Sequence, residues 1–150
     1  MAFRTDGNKL IYRNDGEILQ IEPWGENSLR VRGTKTEEIS QEPWALLDPV
    51  PCKAQIKVEG KTASITNGKI TASFNEFGWL TYYNQKGEVL LEERWRVNNG
   101  GEKTSPLAIC GREYKPIIGS SDYKITLRFE GQDGEKIFGM GQRQEEAGLI

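Results

Sequence analysis

Eight residues near the end of the chain, Tyr123 to Glu130, alternate without a break. Tyr123, Ile125, Leu127 and Phe129 take one side, and Lys124, Thr126, Arg128 and Glu130 take the other. A period of two over that length marks a strand with one buried and one wet face. Weaker signals of the same kind precede it. Lys9 to Arg13 and Glu17 to Ile21 flank Asn14-Asp15-Gly16, and the Asp-Gly pair suits a tight hairpin turn. In Ser28 to Arg32, Leu29 and Val31 point one way, while Arg30 and Arg32 read as a solvated face. Ala54 to Glu59, Thr62 to Thr66 and Lys69 to Phe74 follow, with Asn67-Gly68 as a hairpin signal between the last two. Trp79 to Tyr83 is strand-like. Glu88 to Val97 fits neither period well, but its flanking turns favour strand. Arg112 to Ile118 carries Pro116, which belongs on an edge strand or at its end. Short strands separated by turn signals, without an interdomain linker, predict one all-β domain over residues 1–150, an antiparallel β-sandwich.

Two stretches stand outside this pattern. Gly33 to Pro51 is irregular, and its Trp44-Ala45-Leu46-Leu47 run reads as an apolar plug covering the end of a sheet. Beyond the final strand, Gly131, Asp133 and Gly134 supply a turn. Ile137-Phe138 then leads to Gly139-Met140-Gly141, where the backbone is expected to bend sharply. A nucleotide-binding reading of those glycines fails, because the third position of the fingerprint falls on Gln144 and only six residues remain for its helix.

Composition excludes more than it proposes. Basic and acidic residues number 20 and 22, scattered without blocks, so no footprint for nucleic acid or an anionic membrane exists. Neither a signal peptide nor a run of membrane-spanning length is apparent, which predicts a soluble, cytoplasmic protein. Cys52 and Cys110 are too few for a thiolate metal site and are expected to be free thiols. With no histidine there is no imidazole base, nucleophile partner or metal ligand, and no cofactor is expected.

Acid/base chemistry would fall to carboxylates. The adjacent pairs Glu92-Glu93 and Glu145-Glu146 would face opposite sides of a strand and read as solvated charges. Among the four tryptophans, Trp79 and Trp95 sit within apolar runs and read as core or interface. Trp24 and Trp44, each after a proline in a loop, are the candidates for stacking on a sugar ring. No catalytic residue and no metal ligand is assigned.

Three motifs carry the reading further. Ile21-Glu22-Pro23-Trp24-Gly25-Glu26-Asn27-Ser28-Leu29-Arg30-Val31-Arg32, then Trp44 to Leu47, then the run from Tyr123 through Phe138-Gly139-Met140-Gly141-Gln142 occur in this order. Together they resemble the N-terminal domain of glycoside hydrolase family 31, retaining enzymes that are chiefly α-glucosidases and α-xylosidases. The resemblance implies a galactose-mutarotase-like sandwich that packs on a downstream (β/α)₈ barrel. Both catalytic aspartates of the family lie in that barrel, beyond Ile150, an arrangement that fits two-carboxylate retaining hydrolysis. It also implies that Gln142, Arg143, Gln144 and Glu145 begin the loop sent toward the substrate. The family's sandwich runs on past this length, so closing strands are expected outside it. Without them, bare edges and an apolar barrel-facing patch would favour self-association. The alternative function is a free-standing carbohydrate-binding module that stacks sugar on Trp24 or Trp44.

Overall fold

The computed structural model describes residues 2–42, 46–47, 50–97 and 107–136. They form eleven strands: β1 (Ala2–Asp6), β2 (Lys9–Asn14), β3 (Glu17–Pro23), β4 (Leu29–Thr34), β5 (Gln55–Glu59), β6 (Thr62–Asn67), β7 (Ile70–Phe74), β8 (Leu80–Asn84), β9 (Val89–Glu92), β10 (Arg112–Pro116) and β11 (Tyr123–Leu127). Strands β1 to β4 form one antiparallel sheet in chain order, β5 to β9 a second, and β10–β11 a separate pair. That pair is grafted onto the second sheet. Arg94 N donates to Arg128 O at 2.9 Å and Glu130 N to Glu92 O at 2.9 Å, around a bridge between Glu93 and Phe129.

The two large sheets face each other across a core whose residues come from alternate positions, as a sandwich requires. Leu10 and Tyr12 of β2 and Leu19 and Ile21 of β3 meet Ala63, Ile65, Ala72, Phe74 and Leu80 from β6 to β8. Tyr12 stacks on Phe74 at 4.9 Å between centroids, and Phe3 tilts against both rings. Each large side chain buried there contributes about 1.5–3 kcal/mol. The all-β sandwich expected from the sequence is what forms.

Most strand readings hold within a residue or two. The turn between β2 and β3 places Asp15 and Gly16 at φ 47° and 71°, as a two-residue hairpin loop matched to strand twist needs. Strand β1 is new relative to the sequence reading. Only Phe3 in it is even half-buried, so no apolar alternation announces it. The Asn67-Gly68 signal marks a real hairpin, but one position out of phase: Asn67 pairs with Ile70, so Gly68 and Lys69 form the loop. Asn67 is instead a buried clamp. Its Nδ2 donates to Gly25 O at 2.7 Å and to Ser28 O at 2.8 Å, and Asn27 Oδ1 accepts from Lys69 N at 2.9 Å. These bonds tie the β6–β7 turn to the β3–β4 turn and close that end of the sandwich. Gly68, at φ 57°, lies so close to Asn27 and the Glu26 carbonyl that no Cβ fits.

Other expectations need correction. Leu46 and Leu47 do not plug a sheet end: Leu47 is 89% exposed, while Trp44 and Ala45 lie outside the described residues. Arg30 and Arg32 do not form a solvated face either. The chain after β4 folds back over the outer side of β3, bringing Ile39 and Ser40 beside Ile18 and Gln20. Arg32 donates to Ser40 O and pairs with the buried Glu22 at 2.7 Å. The apolar row of β11, expected to be buried, is exposed from Tyr123 to Phe129.

Candidate functional site

Where β10 crosses the end of the sandwich, a cleft of about 430 Å³ opens beside a buried ionic cluster. Arg112, the first residue of β10, is its hub. Its Nε donates to Glu17 Oε1 at 2.8 Å, its Nη1 to Glu93 Oε2, and its Nη2 to Gly78 O at 2.9 Å. Glu93 Oε2 also accepts from Leu80 N at 2.9 Å and from Trp95 Nε1 at 3.0 Å. Three strands and two loops of different sheets thus converge on one guanidinium between two carboxylates.

The aromatic wall of the cleft is a ladder. Phe77 tilts on Trp79 at 5.2 Å, Trp79 stacks on Trp95 at 5.6 Å with planes 5° apart, and the Arg112 guanidinium lies 5.4 Å from Trp95 and 5.7 Å from Tyr12. Opposite are Asn14, Asp15, Lys35, Glu113 and Tyr114. Burial pushes the Tyr114 hydroxyl up, and the neighbouring Glu17 carboxylate adds to the effect. Tyr82 is raised mainly by burial, then by Glu93. Glu113, at the rim, is held below the usual carboxylate range by the Arg128 hydrogen bond.

Three hydrogen bonds, one of them from a guanidinium, converge on this one buried carboxylate oxygen and tie it to β8, β10 and the Trp95 indole. Glu93 is therefore a structural anchor here, and the wet reading of it was wrong. Its neighbour Glu92 does face solvent, so the alternation itself held. What the sequence could not show is the partner, since Arg112 and Glu17 stand 95 residues apart. Trp79 and Trp95, read as core or interface, are half-buried and line the cleft.

Of the other sequence candidates, Trp24 is half-buried beneath Arg30, whose guanidinium lies 4.4 Å from the ring centroid. It sits far along the chain from the cleft's ladder and does not line it. Trp44, Gln142, Arg143, Gln144 and Glu145 lie outside the described residues, as does Gly139-Met140-Gly141. Cys52 and Cys110 are free. Among the described residues no cluster of three His, Cys, Asp or Glu could hold a metal, and no helix is long and apolar enough to cross a membrane.

No protein-family model matches the chain. It is 44% identical over 148 residues to an uncharacterized family 31 glucosidase, ORF2, of Pseudescherichia vulneris, covering 92% of this chain and 28% of that protein. It also superimposes on the crystal structure of a GH31 alpha-xylosidase from a soil metagenome, complexed with xylose. There the TM-score is 0.86 with 44% identity, over 97% of this chain and 23% of that one. The chain thus spans about a quarter of the length of the proteins it matches. The resemblance to glycoside hydrolase family 31 stands, and it relates the chain to a fragment of such enzymes.

Proposed function

We propose that residues 1–150 are the non-catalytic N-terminal sandwich of a retaining α-glycosidase, an α-glucosidase or α-xylosidase. It packs on a downstream (β/α)₈ barrel and helps to shape the substrate site there. The observation that carries this reading is the match itself: 44% identity runs through nearly the whole chain yet takes in only about a quarter of either glycosidase. The cleft agrees with it, because Glu17 and Glu93 are both committed to Arg112 rather than held apart around a reacting bond. In the whole protein, Gln142 to Glu145 lead toward the bound sugar, and both catalytic carboxylates come from the barrel.

The test compares residues 1–150 with the longer polypeptide encoded by the same gene, using nitrophenyl α-glucoside and α-xyloside. The longer polypeptide is expected to hydrolyse one of them and the shorter neither. Turnover by residues 1–150 that is abolished by replacing one of their own acidic residues overturns the proposal.

A second reading is favoured by the ladder Phe77–Trp79–Trp95 beside a polar cleft, which is the composition of a carbohydrate-binding module. In this reading a sugar docks against the cleft, or on Trp24, without any barrel. Titration with xylo- or malto-oligosaccharides decides it. Tryptophan fluorescence that stays flat at millimolar sugar removes it.

A further inference from the structure

Strand β3 is buried at six consecutive positions, Ile18 to Pro23, so both of its faces are covered. Leu19 and Ile21 turn inward to the core, and Ile18, Gln20 and Glu22 turn outward. A strap of chain, Thr36 to Glu42, returns over this outer row after β4. A strand buried on both faces is ordinarily apolar on both, and polar side chains under such a cover are ordinarily hydrogen-bonded. Glu22 conforms by pairing with Arg32, as do the buried Asn67, Glu93 and Arg112 with their own partners. Gln20 does not. It is 6% exposed, and its Nε2 has no partner. Directly across the β3–β4 ladder stands Arg32, whose Nε is the other buried side-chain donor without a partner among the described residues.

These two donors border open space. On the Gln20 side a cavity of about 560 Å³ lies between sheet and strap, and on the Arg32 side one of about 440 Å³, with Glu38, Ile39 and Ser40 bordering both. Either is far larger than one water needs and within the range of small-molecule sites. Past Thr36 the strap is held to the sheet by two side-chain bonds among the described residues, from Arg32 to Ser40 O and from Lys9 Nζ to Gln41 Oε1 at 3.4 Å. The lining sets the chemistry. Asp6, Glu37 and Glu38 outnumber Arg13 on the Gln20 side, which disfavours an anion, while donors lacking acceptors disfavour a cation. A hydroxyl is the neutral group that accepts from such donors and also donates to carboxylates. Ile11, Ile18 and Ile39 add an apolar wall suited to the C–H groups of a ring.

We propose that the space between the strap and the outer face of the first sheet is a saccharide-binding site. Hydroxyls of the sugar take the hydrogen bonds that Gln20 Nε2 and Arg32 Nε lack, and donate in turn to Glu38 at the border of the two cavities. Both donors are closed to solvent, so the strap gives way as the sugar enters. No residue lines both this space and the Arg112 cleft, and no tryptophan lines it. The site therefore stands on its own, whether or not residues 1–150 belong to a larger enzyme.

The test follows the side-chain N–H signals of Gln20 and Arg32 by NMR in isotope-labelled residues 1–150, as xylose, glucose, glycerol or inorganic phosphate is added to tens of millimolar. Gln20→Leu and Arg32→Lys assign the two signals by their loss. Xylose or glucose is expected to move both signals saturably, while glycerol and phosphate leave them in place. In Gln20→Leu the shift at Arg32 should need about tenfold more sugar, as loss of one well-placed hydrogen bond implies. Without sugar this variant should melt no lower than the parent, because an unpartnered buried amide has been removed. Signals that stay in place with both sugars overturn the proposal. So does an equal shift with glycerol or phosphate, which makes the ligand any small hydroxyl compound or an anion. A long-lived water beside Gln20 that sugar does not displace makes water the partner, and overturns it too. Should the Trp79 and Trp95 indole signals move while Gln20 stays, the sugar is in the Arg112 cleft, and this site falls while the second reading above gains. If Gln20→Leu fails to fold, the Arg32 signal in the unaltered chain decides.

Discussion

In hairpin β6–β7, Ala63, Ile65, Ala72 and Phe74 alternate with polar neighbours, and all four are buried. In hairpin β10–β11 the alternation is stricter, yet Ile125 and Leu127 are more than half exposed. The difference lies opposite them, not within them. Strands β2 and β3 stand over β6–β7, with Tyr12 stacked on Phe74 and Ile21 in the same cluster. Past its root, β10–β11 has no facing sheet among the described residues. A period of two therefore reports that one face of a strand is made for burial, and leaves unstated which polypeptide does the burying.

The sharpest way to break this comparison is at the root shared by both regions. Arg112→Ala strips Glu93 of its cation inside the protein, and removing one partner of a buried pair costs about 3–5 kcal/mol. The urea midpoint should fall steeply, and an unchanged midpoint would mean that the cluster holds nothing together. Next comes Ile65→Ala in the covered hairpin, expected to cost about 2–5 kcal/mol by the same measurement through lost burial and a cavity. Asn67→Ala should cost about 1–3 kcal/mol, since the Gly25 and Ser28 carbonyls lose their donor.

Alkaline titration bears on both regions together. Tyr82 of β8 and Tyr114 of β10 have folded-state values raised above the ordinary 10.0, chiefly by burial. Above that ordinary value the unfolded chain gives up its tyrosine protons while the folded one keeps them. Stability is thus fully present below pH 10 and declines above it. Tyr114→Phe should flatten the decline in a pH series of thermal melts, and an unchanged slope would count against burial as the cause. The smallest effect is expected at Ile125→Ser, within about 0.5 kcal/mol in residues 1–150, as for substitutions away from packed features. A loss comparable to that of Ile65→Ala would show the face to be covered already.

The sandwich was legible because its evidence is local. Asp15-Gly16 sets a turn, and residues such as Ile70, Ala72 and Phe74 declare their face by spacing alone. The candidate site was not legible, because its evidence is pairwise and distant. Nothing around Arg112 names Glu17, 95 residues away, and nothing around Glu93 tells a buried anchor from its wet neighbour Glu92. Asn67 is the middle case. Its type was read correctly as a turn signal, while its use was set by loop 24–28 of the other sheet, which needed a donor at that point. The face of β11 that the spacing alone had suggested to be buried is exposed instead.

The Asn67 clamp has a chemical consequence. An asparagine followed by glycine is the sequence most prone to cyclise and lose its side-chain ammonia, because the unhindered glycine nitrogen attacks the side-chain carbonyl. While the sandwich is closed, Asn67 is held by two carbonyls and shut away from water. Each opening of that end releases the dipeptide. Once the amide becomes an acid, the former donor is an anion facing two carbonyl oxygens, and the end cannot close as before. Repeated unfolding would thus be recorded covalently at one position, so the lifetime of the protein depends on how often this end opens as well as on how stable it is when shut.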